Sequence, residues 1–200
     1  MSTCGKIAAG ITHNCTDKLV SGLHDEVIFI NLDDIDKESC VFDSSNKMLL
    51  TDLVLASASP ANTGFKLEGY NYSNEHDTAL VKRRFIDGWD HNLTFRIFDN
   101  TPEVKEWVKN AVDSRFVAII MNRYRNSNAS TDGTTVFEVL GFHNGLEISE
   151  ATRNANDEES MGAWVLKATC DEVNKEPYPP YTYFKTDYAT TKAAFDAFVA

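Results

Sequence analysis

Two hundred residues, with 42% hydrophobic and 24% charged side chains, suffice for one self-supporting domain and are too apolar for a disordered chain. A formal net charge of −11 argues against nucleic acid or an anionic membrane surface as the primary ligand. No apolar run approaches the ~18 residues of a membrane-spanning helix, and residues 1–10 lack the charged start and apolar middle of a secretory signal. A soluble protein made in a cytoplasm is expected.

Residues 1 to about 24 read as an N-terminal arm. Val27–Leu32 is a β-branched apolar run between the Gly22 turn and the acidic stretch Asp33–Glu38, which predicts a strand. Met48–Ala56 is a second candidate, although its leucines and alanine also suit a helix. Phe65–Tyr72 alternates loosely and predicts a third. Leu80–Ile86 and Leu93–Phe98 flank Asp87 and Gly88, a hairpin signal, with Trp89–Asn92 lengthening the loop. In the second of these runs Leu93, Phe95 and Ile97 share one face and Thr94 and Arg96 the other.

Thr101–Val112 carries the clearest helix signal. Thr101 can cap, Pro102 fits the first turn, and Glu103 suits the positive end of the dipole. Val104, Trp107, Val108, Ala111 and Val112 form one apolar stripe, so a helix over about 101–113 should lie on a sheet with Trp107 inward. Phe116–Met121, Thr135–Phe142 and Ala163–Thr169 predict further strands, with a strand-like run after Gly145 and a polar loop over Asn122–Gly133. Thr190–Val199 predicts a short C-terminal helix burying Ala194, Phe195 and Phe198. About seven strands without strand–helix–strand alternation imply a mainly β fold. The expected architecture is an antiparallel β-sandwich or partly closed barrel with one flanking α-helix and a short terminal one. No linker divides the chain, so residues 1–200 read as a single β-rich structural domain.

Chemical equipment is sparse. Cys4, His13, Cys15 and Cys40 have no zinc-type spacing, and the four cysteines read as free thiols, with Cys170 a small core residue. Asp33–Glu38 lacks the glycine and terminal glutamate of a calcium loop and reads as a solvated acidic turn. The histidines (His13, His24, His76, His91, His143) are dispersed; Glu75 and Asp77 adjoin His76, but neighbours on an extended chain point to opposite faces. No serine elbow or phosphate-cradling glycine motif occurs. The one tight basic run, Lys82, Arg83 and Arg84, reads as a solvated strand end or as salt-bridge partners for the acidic excess. Tyr178, Tyr181, Tyr183, Phe184 and Tyr188, interleaved with Pro177, Pro179 and Pro180, read as a tail packed across the parent sheet or onto a neighbouring subunit. A carbohydrate or peptide platform is the alternative there. No catalytic, cofactor-binding or metal-ligating residue is expected, and so neither a cofactor nor an enzyme.

Cys4, Gly5, Gly10, Cys15 and Gly22, followed by Val27–Ile35, form one pattern. Gly145–Glu147, Arg153, Asp157, Gly162–Leu166 and Glu176 with Pro177, before a proline-rich close, form another. These segments, about the first and last quarter of the chain, resemble structural proteins encoded in the tail modules of phages that infect Bacteroidetes. A hairpin followed by a flanking helix is similar in layout to the phage tail tube fold. The resemblance implies a virion structural protein of the tail, assembled in the host cytoplasm. It would be a tube subunit that self-assembles into stacked rings, commonly hexamers, forming a conduit for DNA. Other virion tail proteins would be partners, and passing DNA would not be bound specifically; the acidic charge agrees with a wall that does not grip phosphate. No site residues come with the resemblance. The length of the Ser39–Asn46 and Asn122–Gly133 loops leaves a head–tail connector, tail terminator or baseplate component of the same fold as the alternative.

Overall fold

The computed structural model describes residues 10–11, 20–58, 61–82, 87–125 and 132–199. Cys4, His13, Cys15, Arg83, Arg84 and most of the N-terminal arm therefore lie outside the described residues. Within them, eleven strands and two α-helices run in the order β1 (Leu23–Asn31), β2 (Val41–Phe42), β3 (Leu49–Asp52), β4 (Phe65–Glu68), β5 (Glu75–Val81), β6 (Gly88–Ile97), α1 (Pro102–Val112), β7 (Phe116–Asn122), β8 (Phe137–Leu140), β9 (Leu146–Arg153), β10 (Trp164–Cys170), β11 (Tyr181–Tyr183) and α2 (Tyr188–Asp196).

The longest apolar runs take the centre. Val27–Ile30 of β1 and Phe116–Met121 of β7 are buried on both faces, which is why they read as continuous hydrophobic stretches and not as alternations. The strand order is β2-β3-β11-β8-β7-β9-β10-β6-β5, with β1 paired to β7 and β4 to β1. β7 meets β9 through Phe116 and Leu146, and at that junction the sheet turns back on itself. One core lies between the two halves, where Leu93, Phe95 and Leu166 face Val27, Phe29 and Ile120. The second lies on the opposite side of β1 and β7, where Ile28, Ile30 and Ile119 pack with Phe137, Phe195 and Phe198. The result is a mainly β, sandwich-like fold with flanking helices. Its sheet is mixed and does not close into a barrel.

Among the described strand pairs, antiparallel pairing fails at one place. The proline-rich stretch carries the chain back so that β11 enters between β3 and β8, parallel to β3 (Thr182 opposite Leu49) and antiparallel to β8. The β5–β6 hairpin also differs from expectation. Val81 pairs with Gly88, so Gly88 already belongs to β6, and Trp89–Asn92 belong to the strand and not to the loop. The first arm starts at Glu75, not Leu80. β3 stops at Asp52, and the rest of the Met48–Ala56 run leaves the sheet, returning only where Leu55 bridges Ile35. The Ser39–Asn46 loop contains β2, then a turn in which Asp43 accepts from the Ser45 and Asn46 amides, each at 2.8 Å.

The helices follow their caps. Thr101 Oγ1 accepts from Val104 N at 3.4 Å, Pro102 opens α1, and Trp107 sits 5.9 Å from the Phe29 ring and 6.4 Å from Phe95. Val112 departs from the expected stripe and is 47% exposed, because five residues on from Trp107 is about 140° round the helix. α2 begins two residues earlier than Thr190, where Asp187 accepts from Thr190 N at 2.8 Å. Thr191 and Phe195 are its buried residues, Ala194 is half-buried, and Phe198 is buried beyond its end.

Phe29 touches Phe95, Trp107 and Phe116 at once. Phe29→Ala should lower unfolding free energy by about 3–5 kcal/mol, whereas Val112→Ala should change it by less than about 0.5 kcal/mol. Urea denaturation distinguishes the two, and equal losses would contradict this placement of α1.

Candidate functional site

Three strands have a single neighbour among the described residues: β2 pairs only with β3, β4 with β1, and β5 with β6. Each shows a large apolar side chain to solvent, with Val41 51%, Phe65 46% and Leu80 45% exposed. Such edges are templates for further pairing unless they are charged, kinked or covered.

Beside β5 lies an open cleft at the mouth of the inter-sheet core. His76 and Thr78 of β5 form one wall, Asn122 and Glu138 the other, and Trp89 with Pro179 and Pro180 closes one end. His76 Nδ1 lies 2.9 Å from the Asn92 carbonyl, which can only accept, so Nδ1 carries the proton. Nε2 then accepts from the Thr78 hydroxyl at 3.1 Å and lies 3.8 Å from Glu138 Oε2. Burial raises the Glu138 carboxyl above the usual carboxylate range, opposed by His76 and by a hydrogen bond from Asn122. Glu75 and Asp77 are exposed, and Asp77 accepts from Asn92 Nδ2 at 2.9 Å. The acidic partner of His76 is thus Glu138 from a distant strand and not its sequence neighbours. The Thr78–His76 contact follows from i, i+2 spacing on one strand face. This arrangement can exchange a proton or receive a cation.

A second polar cluster is filled. The turn between β8 and β9 has Gly141 and Gly145 at φ 71° and 82°. A Cβ on Gly141 would come within 2.8 Å of Leu146 Cγ and 2.9 Å of its amide, so only glycine fits there. The turn's amides converge on Glu176, which accepts from His143 N at 3.1 Å and Asn144 N at 2.6 Å. His91 accepts at Nδ1 from Gly141 N (3.1 Å) and so donates from Nε2 to Tyr178 O (3.0 Å). Lys37 donates to His143 O at 2.8 Å, and Lys175 pairs with Asp90 at 3.0 Å. These bonds tie β6, the β8–β9 turn and the proline-rich stretch together. His91 and Glu176 are each 1% exposed. Burial lowers the His91 pKa from 6.5 to about 4, and burial raises that of Glu176 against the turn amides that lower it.

Tyr181, Tyr183 and Phe184 are buried where the tail crosses its own sheet, and Tyr178 is half exposed. His143 Nε2 lies 2.7 Å from the Tyr181 hydroxyl, and Tyr181 is buried. Asp36 accepts from Ser39 N and Oγ in an exposed turn. Cys40 is half-buried with its sulfur accepting from Val54 N at 3.4 Å, and burial pushes the buried Cys170 thiol up to about 11. Among the described residues no three His, Cys, Asp or Glu side chains gather as a metal set, and no helix is long and apolar enough to cross a membrane. No family model matches the chain, and no curated protein or solved structure matches it. Function is therefore argued from these residues and their geometry.

His91 stays neutral in the fold down to about pH 4 but takes up a proton near 6.5 when unfolded. The unfolded state then binds more protons across that interval, so this contribution to stability is lost as pH falls from about 6.5 to 4. Glu176, with its folded pKa raised, acts in the opposite sense. His91→Gln keeps an amide oxygen for Gly141 N and an amide N–H for Tyr178 O without titrating. It should remove on the order of 3 kcal/mol of the difference in unfolding free energy between pH 7 and pH 4; an unchanged difference would contradict the neutral His91 bridge.

Proposed function

We propose that the protein is a virion structural protein, a phage tail tube subunit that acts by self-assembly and not by catalysis. One observation carries this reading: β2, β4 and β5 each lack a second neighbour among the described residues, and each exposes an apolar side chain. A protein that works alone gains nothing from open apolar edges, whereas a ring subunit covers them with its neighbours. Apolar area buried between copies would supply roughly 25 cal/mol per Å². The sandwich with α1 on its flank suits the tail tube layout that the sequence resembles. The β11 insertion turns the tyrosine-rich tail into part of the sheet, which weakens a carbohydrate or peptide platform there. On this reading the subunits form rings, commonly hexamers, that stack in the virion tail beside other tail proteins. The net charge of −11 keeps the wall from gripping DNA phosphates, and no cofactor takes part.

Sedimentation velocity over a wide concentration range, with negative-stain microscopy of the concentrated protein, tests the proposal. Stacked rings or tubes are the expected outcome. Isolated rings would favour a connector, terminator or baseplate component of the same fold. A monomer at every concentration would overturn self-assembly.

A further inference from the structure

Tyr72 stands where a tyrosine is least expected. The loop between β4 and β5 holds a β-turn in which Ser73 N donates to Tyr70 O at 3.0 Å, and its third residue, Tyr72, has φ 64°. Glycine or asparagine normally takes that place, because a larger side chain is strained in the left-handed region. Burial does not compensate, since Tyr72 is 67% and Tyr70 59% exposed. Arg123 Cζ lies 4.4 Å from the centre of the Tyr72 ring. Two further bonds pin the guanidinium: Nε donates to Leu23 O at 2.8 Å and Nη2 to Asn71 Oδ1 at 2.7 Å. All three partners are neutral. Arg115 and Arg125, by contrast, pair with Glu147, Asp171 and Asp132. Among the described residues Arg123 is thus held rigidly but meets no carboxylate.

We infer that the Tyr72–Arg123 pair is a contact point for a second copy of the chain: Arg123 receives a carboxylate of that copy, and Tyr70 and Tyr72 supply contact area around it. Charge complementarity selects the occupant. Copies that each carry −11 repel one another. A contact between them therefore needs cations not already spent on internal acids, and Arg123 is such a cation. Tyrosine and arginine are also the side chains that dominate interface energies. The anchors on Arg123 fix it before the partner arrives, which lessens the ordering that association must impose. The strained backbone is then explained by what it holds in place, an exposed ring over a rigid guanidinium. The inference rests on the self-assembly reading and assigns it a contact.

Substitution in the turn tests it. Tyr72→Asn keeps a residue that tolerates positive φ and removes the ring. Its thermal unfolding midpoint should stay close to the parent's, while the protein concentration needed for assembly should rise about 10-fold or more. Arg123→Gln removes the charge and should raise it by a similar factor. Because that variant also loses the bond to Leu23 O, circular dichroism melts check that both are folded. A benzophenone photo-crosslinker at position 72 should join two copies covalently in the assembled sample, close to an Asp or Glu of the second copy. If the parent chain assembles and either folded variant assembles equally well, or the crosslinks stay within one chain, the contact is wrong while self-assembly stands. If the parent chain is monomeric at every concentration, both fall.

Discussion

Burial of β1 and β7 on both faces is the constraint on which the remaining structure depends. Val27 and Phe29 serve the inter-sheet core, while Ile28 and Ile30 serve the core under α2. Because alternate residues go to opposite sides, a one-residue slip of β1 would exchange the two sets. Each core therefore checks the register of the other. α1 closes one through Trp107, and α2 closes the other through Phe195.

The same arrangement decides where the molecule is left unfinished. With β1 and β7 central, β2, β4 and β5 fall to the margins, each pairing on one side only among the described residues. Close to β5 the apolar core gives way to polar residues in two manners. One is a filled knot, in which the amides of the turn between β8 and β9 close on Glu176 and both ring nitrogens of His91 are bonded. The other is the cleft, in which Glu138 and His76 remain beside solvent. The knot reads as a strut because its bonds are all internal. The cleft differs in that His76 and Glu138 keep part of their side-chain surface exposed.

Much of the framework was legible in the sequence, and particular residues explain which parts. β7 and α1 announce themselves through long apolar periodicity and the Thr101–Pro102 start. β2 and β11 span two and three residues, too few for alternation to register. The parallel contact between β11 and β3 unites positions about 130 apart, which no local pattern encodes. Val112 fits the apolar spacing of α1 yet turns outward, because the helix touches the sheet along a narrower strip than the stripe is wide. The cleft was hidden for another reason. Strand alternation already set His76 apart from Glu75 and Asp77, but its partner, Glu138, is a lone charge inside an apolar strand. That interruption between Phe137 and Val139 was the available signal, and only the fold supplies its counterpart. Likewise Glu176 has no local sequence sign of its role, because the amides that close on it come from the turn more than thirty residues earlier.

The late arrival of β11 also has a consequence for biogenesis. A ribosome delivers β3 long before the tyrosines that will lie alongside it, so nascent chains carry an unzipped seam between β3 and β8 while the intervening residues are made. Until those tyrosines arrive, the facing edges of β3 and β8 each lack the neighbour they have in the finished sheet, and open edges of that kind invite pairing with other chains.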